Sequence, residues 1–139
     1  MELVRIPIKE LDKVWGLVEK DIRNALHYSS QLTDSEFVLQ TAKDGKFQIW
    51  VLWDKSKPKP VEKYFGVVVT ELIKRKLGKV CHIYIMTGRQ RHKWQYLVKD
   101  IEQFAKDEEC QMMELIARPG WQKVLNNYGY QRTHVVLEK

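Results

Sequence analysis

Glycine and proline are scarce and cysteine is nearly absent: 7 Gly, 4 Pro and 2 Cys in 139 residues. So little turn-forming and cross-linking chemistry excludes a collagen-like repeat, a low-complexity linker and a disulfide-stapled scaffold. Cys81 and Cys110 each lie inside a strand-like run, where a reducing compartment leaves them as small apolar groups. His82 directly follows Cys81, so a strand turns the two to opposite faces, and no C-x-x-C or H-x-x-x-H spacing occurs. No metal site is read from this set. Also missing is any apolar run near the ~20 residues of a membrane span. The start, Met-Glu-Leu-Val-Arg-Ile-Pro, lacks the basic and then apolar segments of a signal peptide. These absences predict a soluble, cytoplasmic chain with no membrane partner.

What is present is a balanced globular composition, 44% hydrophobic, 11% aromatic and 30% charged. At this length it predicts one domain over residues 1–139 with a sizeable core. Lys and Arg number 24 against 18 Asp and Glu, a net charge of +6. The excess gathers in three clusters, Lys55–Lys59, Lys74–Lys79 and Arg89–Lys93. All three fall between periodic segments and are read as charged loops.

Glu2–Ile8 alternates like a strand ending near Pro7. Leu11, Val14, Trp15, Val18, Ile22, Ala25 and Leu26 follow at helical spacing, over about four turns. Thr33-Asp34-Ser35-Glu36 has the form of a capping box with Thr33 at the N-cap, opening a short helix that Gly45 closes. Three strand-like runs come next, Phe47–Trp53, Tyr64–Leu72 and Val80–Met86, with connections short enough for an antiparallel meander. After Gly88 the period becomes helical through Trp94, Leu97, Val98, Ile101, Phe104 and Ala105, and Met112–Ala117 returns to a strand. That strand–helix–strand unit predicts a parallel, right-handed pair. Pro119 opens a last helix bearing Trp121, Val124, Leu125 and Tyr128, Gly129 ends it, and Tyr130–Leu137 is the final strand. The fold class is α/β (α+β), a mixed sheet in the order β-α-α-β-β-β-α-β-α-β with helices on both faces.

This order, with the segment from Ile83 to Leu97 and the stretch Gly120–Tyr130, resembles the GNAT superfamily of N-acetyltransferases. The wording is also similar to that of small GNAT-like proteins of tailed-phage genomes, which would place the chain in a host cytoplasm or a virion. The resemblance implies acetyl-CoA as acyl donor and an amine as acceptor. It puts the cofactor-binding loop at Gly88, Arg89, Gln90, Arg91, His92 and Lys93. The two positions where the family carries glycine hold His92 and Trp94. Glycines there bring backbone close to a pyrophosphate and to the positive end of a helix; here the side chains of Arg91 and Lys93 can bind phosphate instead. Arg118 replaces an asparagine common before the last helix and can pair with phosphate or cap the strand end.

Acetyl transfer needs a base for the amine, donors for the oxyanion and an acid for the departing thiolate. The position where the family often has that acid, a tyrosine, is Leu125 here, and Tyr128 is the substitute one turn on. Glu71 is the first choice of base and Glu114 the second. His82 and Tyr84 share a face of their strand and can relay a proton, or serve as buried structural groups. Three classes follow: an acetyl-CoA-dependent N-acetyltransferase; a GNAT-fold module without catalysis that binds a protein partner or serves assembly, as in a phage particle; and, ranked last, a nucleic-acid binder using the basic loops.

Overall fold

The computed structural model describes residues 1–29, 32–117, 119–135, 137 and 139. Five strands form one sheet in the order β1-β2-β3-β4-β5: Glu2–Arg5, Phe47–Trp53, Tyr64–Arg75, Gly78–Gly88 and Met112–Leu115. Neighbours are antiparallel from β1 to β4, and β4 and β5 run parallel, as the helical crossover between them requires. The helices are α1 (Leu11–Ser29), α2 (Ser35–Lys43), α3 (Pro60–Lys63), α4 (Val98–Asp107) and α5 (Pro119–Asn126). No described helix is long and apolar enough to cross a membrane.

The sheet is covered on both faces, which is why β2 is apolar almost throughout. On one face Leu11, Val18, Ile22 and Leu26 of α1 and Val38 and Ala42 of α2 pack on Phe47, Ile49, Val51, Val67 and Val69. On the other, Val98, Ile101 and Ala105 of α4 and Leu125 of α5 pack on Trp50, Leu52, Phe65, Val68, Cys81 and Ile83. Burial on this second face holds the Cys81 thiol up at about 12, far from thiolate chemistry. A polar chain is sealed into the sheet, Trp50 Nε1–H donating to Thr70 Oγ1 (3.0 Å) and Thr70 to Gln48 Oε1 (2.8 Å); each buried donor has its partner.

Several boundaries differ from the sequence expectation. β1 stops at Arg5, although Ile6 N–H still donates to the Ile49 carbonyl at 2.8 Å before Pro7 withholds a donor. The N-cap of α2 is Asp34, not Thr33: its carboxylate accepts from Phe37 N–H at 2.9 Å. β3 runs on to Arg75, so that basic residue belongs to a strand and not to a loop. Cys110 lies half-buried just before β5, outside any strand.

The helix after β4 starts only at Val98. Before it come two 3-10 turns, Arg91–Lys93 and Gln95–Leu97, with Trp94 between them in a non-helical conformation. The Trp94 indole N–H bonds back to the Arg89 carbonyl at 2.8 Å while its ring is buried. An apolar residue every third position serves a 3-10 turn as well as an α-helix, so the stripe alone does not separate them.

The expected strand at Tyr130–Leu137 does not join the sheet among the described residues. Tyr130 is held on the α4 side, its N–H donating to Leu125 O (3.2 Å) and its phenol to Glu102 (2.9 Å), and residues 131–135 are exposed.

Candidate functional site

β4 and β5 are paired only from Val80–Met112 to Ile83–Leu115. Beyond Ile83, β4 continues to Gly88 with β3 on one side and no strand on the other among the described residues. The parting begins at a β-bulge: Val69 pairs with Ile85 and Thr70 with Ile83, so Tyr84 is the extra residue. A bulge breaks the ladder, increases local twist and re-aims side chains. Backbone groups of β4 on the β5 side are thus left open over Tyr84–Gly88.

At the far end of this opening stands the basic loop, and its side chains are partly engaged. Arg89 lies over the Phe65 ring at 4.2 Å and donates to the carbonyls of Glu62 (2.9 Å) and Tyr64 (3.2 Å), so its charge ties the α3 segment to the end of β4. Gln90 has φ +52°, an uncommon conformation for a non-glycine residue. Arg91 lies over the Trp121 ring of α5 at 4.9 Å, and the Trp94 and Trp121 rings sit 5.8 Å apart. His92 and Lys93 are exposed. The N–H groups of Arg89, Lys93 and Trp94 already donate within the protein, to Phe65, Gln90 and Arg91. Half of the N–H groups from Arg89 to Trp94, where glycines would build a cradle for a pyrophosphate, are therefore already engaged. Gly88 faces Gly66 across the ladder, where a Cβ would strike the Phe65 carbonyl and come within 2.7 Å of Gly66 Cα; its lack of a side chain serves strand approach. Arg118 lies outside the described residues.

A row of polar residues crosses the sheet on the α1/α2 face. Glu71 of β3 is opposite Phe47 of β2 and His82 of β4, and His82 is opposite Glu114 of β5. His82 Nδ1 is 3.0 Å from Glu114 Oε1, and Arg75 grips both Glu114 oxygens at 2.8 and 2.9 Å. Hydrogen bonding from the Arg75 guanidinium holds the Glu114 carboxyl below the usual range. Burial, then the nearby Glu71 carboxylate, pushes the Tyr84 phenol up. Aromatic rings lead in from α2: Phe37 to Phe47 at 6.0 Å, Phe47 to Tyr84 at 5.0 Å and Tyr84 to His82 at 6.4 Å.

The two groups read from sequence as base and acid stand on opposite faces. Glu71 is on the α1/α2 face, while Tyr128 is half-buried against the α4/α5 core. Leu125 is buried in that core. The residue that sequence reasoning missed is Arg75, counted there with a loop cluster. The signal was the alternation Glu71, Ile73, Arg75, which carries the strand three residues further, from Leu72 to Arg75. Among the described residues no group of His, Cys, Asp or Glu is arranged to hold a metal.

No family model matches the sequence, and no curated protein matches it. Solved structures do match in shape. A probable acetyltransferase superposes with a TM-score of 0.72 at 13% identity, over 100% of this chain and 95% of its own. Glucosamine-6-phosphate N-acetyltransferase from Arabidopsis thaliana gives 0.67 at 15% identity over 99% and 96%. An aminoglycoside acetyltransferase from an uncultured soil metagenomic sample, in complex with sisomicin, gives 0.65 at 14% identity over 99% and 94%. With end-to-end coverage and a five-stranded mixed sheet flanked by helices, this chain has a GNAT-like mixed α/β fold.

Proposed function

We propose that the chain transfers an acetyl group from acetyl-CoA to an amine, with the opening between β4 and β5 as the reaction site. The observation that carries this reading is the end of β4–β5 pairing at Ile83 together with the Tyr84 bulge. An open strand edge suits an arm built of amides, because each exposed N–H and C=O can pair with it as a further strand would. Acetyl-CoA supplies an activated acetyl thioester on such an arm. The fit is good along β4 and poorer at the phosphate end, where the N–H groups of Arg89, Lys93 and Trp94 are engaged and the Arg89 side chain is occupied. Phosphate contacts fall to the side chains of Arg91, His92 and Lys93, with Gly88 and Gln90 as their framework and Arg118 as a further cation for phosphate. Glu71 draws a cationic acceptor to the α1/α2 face, and Tyr128 supplies a phenol from the other side for the departing sulfur.

A second reading has one specific observation in its favour. Trp94 stands where the fold's acetyltransferases resembled in sequence carry glycine, and its buried ring braces the mouth against Trp121. In that reading the chain is a non-catalytic module for a protein partner, as in phage assembly.

Thermal unfolding with and without acetyl-CoA separates the two. Ligand at about 100 times its Kd stabilises by ~2.7 kcal/mol, a rise of about 9 °C in Tm for this size. Release of free thiol in the presence of a panel of primary amines then reports transfer. An unchanged Tm at millimolar acetyl-CoA refutes the enzyme reading and leaves the module.

A further inference from the structure

His82 is 8% exposed, yet only one of its ring nitrogens is engaged. Nδ1 meets Glu114, and Nε2 has no hydrogen bond among the described residues. No described side-chain nitrogen or oxygen is both sealed from solvent and unpaired, so Nε2 keeps some access to solvent. Glu114 is in turn fixed by two parallel bonds from Arg75, the geometry that best orients a carboxylate. An ionised carboxylate only accepts, so in the neutral imidazole it keeps the hydrogen on Nδ1 and leaves the lone pair on Nε2. Three strands thus contribute one group each to a held imidazole: Arg75 from β3, His82 from β4 and Glu114 from β5. The remaining titratable neighbours on this face are Glu71 across the ladder and Tyr84 two residues along; α1 covers the face with apolar Val18, Ile22 and Leu26.

Position gives this arrangement its meaning. His82 lies one residue before the last paired step of β4 and β5, and Tyr84 is the bulge residue one step beyond it. We infer that His82 Nε2 is the proton acceptor for the incoming amine, and that Glu114 and Arg75 are positioning residues which set its tautomer and direction. The inference rests on the acetyl-transfer reading and assigns Glu71 to attracting the amine. In the step, the amine nitrogen's lone pair forms the bond to the acetyl carbon and the carbon–sulfur bond breaks, its electron pair leaving on sulfur. The proton shed by nitrogen goes to Nε2 and from the imidazolium to solvent, while the thiolate takes its proton from the Tyr128 phenol, which solvent then restores. An imidazole suits the task because its ordinary pKa lies closer to neutrality than a carboxylate's.

The first test needs no acceptor. Nitrogen-15 NMR of the histidine rings, with the His82 signals assigned by their loss in His82→Gln, should show neutral His82 protonated at Nδ1 with a bare Nε2. Glu114→Gln should abolish that preference, and an Nε2–H tautomer in the wild type overturns the inference. The second test uses thiol release from acetyl-CoA with the panel of primary amines. His82→Gln should lower kcat about 100-fold or more with KM for acetyl-CoA within about twofold and the ligand-induced rise in Tm retained. Glu114→Gln should lower kcat less and displace the acidic limb of the pH–rate profile. Transfer by the wild type with kcat unchanged in His82→Gln overturns this inference alone; no transfer and no acetyl-CoA-induced Tm rise in the wild type overturns the function on which it rests as well. Glu114→Gln, on a partly exposed residue, keeps the question open to measurement if His82→Gln does not fold.

Discussion

Trp94 carries two jobs at one position. Its ring is 2% exposed in the α4/α5 core, and its indole N–H closes the loop by bonding to the Arg89 carbonyl. Truncating a buried aromatic of this size forfeits its transfer free energy and leaves a cavity. Trp94→Ala should therefore destabilise by about 3–5 kcal/mol in a denaturant titration. A glycine at the same position would need a loop packed in another way. Arg89 shows the same logic: as a number it is one positive charge near a phosphate site, while in place it stacks on Phe65 and satisfies two carbonyls.

At the scale of elements, β4 decides most of what the chain can do. Its first half pairs with β5, its bulge falls at Tyr84, and its second half is open toward the side where β5 would continue. Its end is fastened to β3 by the close approach of Gly88 and Gly66. Gly88→Ala should cost about 1–3 kcal/mol by forcing the two strands apart. Were the glycine kept for a phosphate, acetyl-CoA affinity would fall at unchanged stability; comparing urea midpoints with ligand titrations of the variant decides between these. The strand was legible from its residues, but the bulge was not: it turns both Tyr84 and Ile85 to the α1/α2 core, and in the all-apolar run Ile83–Met86 that break in alternation shows only when the partner strand is counted beside it.

The whole molecule joins its layers with two half-buried phenols. Tyr64 donates to Asp21 of α1 at 2.6 Å and Tyr130 to Glu102 of α4 at 2.9 Å. Burial first, and then the neighbouring carboxylate, raises both phenols far above the ordinary tyrosine range. The sign follows: a folded-state pKa above the unfolded one gives stability that is complete below about pH 10 and is lost as pH climbs beyond it. Stability measured by urea unfolding should fall steeply above pH 10, and less steeply in Tyr64→Phe, whose loss at pH 7 should be about 1 kcal/mol. A pH-independent difference between the two proteins would contradict this account. The net charge of +6 is also a property of the whole molecule, but Lys55 is spent on Glu2, Arg75 on Glu114 and Arg89 on backbone carbonyls, which leaves each basic cluster weaker than its composition suggests.

The amino-acid sequence by itself determined the order of the main elements from β1 to α5, the two-sided core and the crossover that makes β4 and β5 parallel. Each follows from local periodicity and chain connection: Phe47–Trp53 is apolar on both faces whatever surrounds it, and a helix between two strands of one sheet has one favoured hand. It also singled out Glu71, His82, Tyr84 and Glu114 as groups with chemistry. Only the tertiary structure decided which of them meet. Arg75 and Glu114 are 39 positions apart and His82 and Glu114 are 32 apart, so their juxtaposition depends on strand register, which no local pattern encodes. The same holds for the late start of α4 and the unpaired segment after Tyr130, where long-range contacts of Trp94 and Tyr130 outweigh the periodicity of the residues around them.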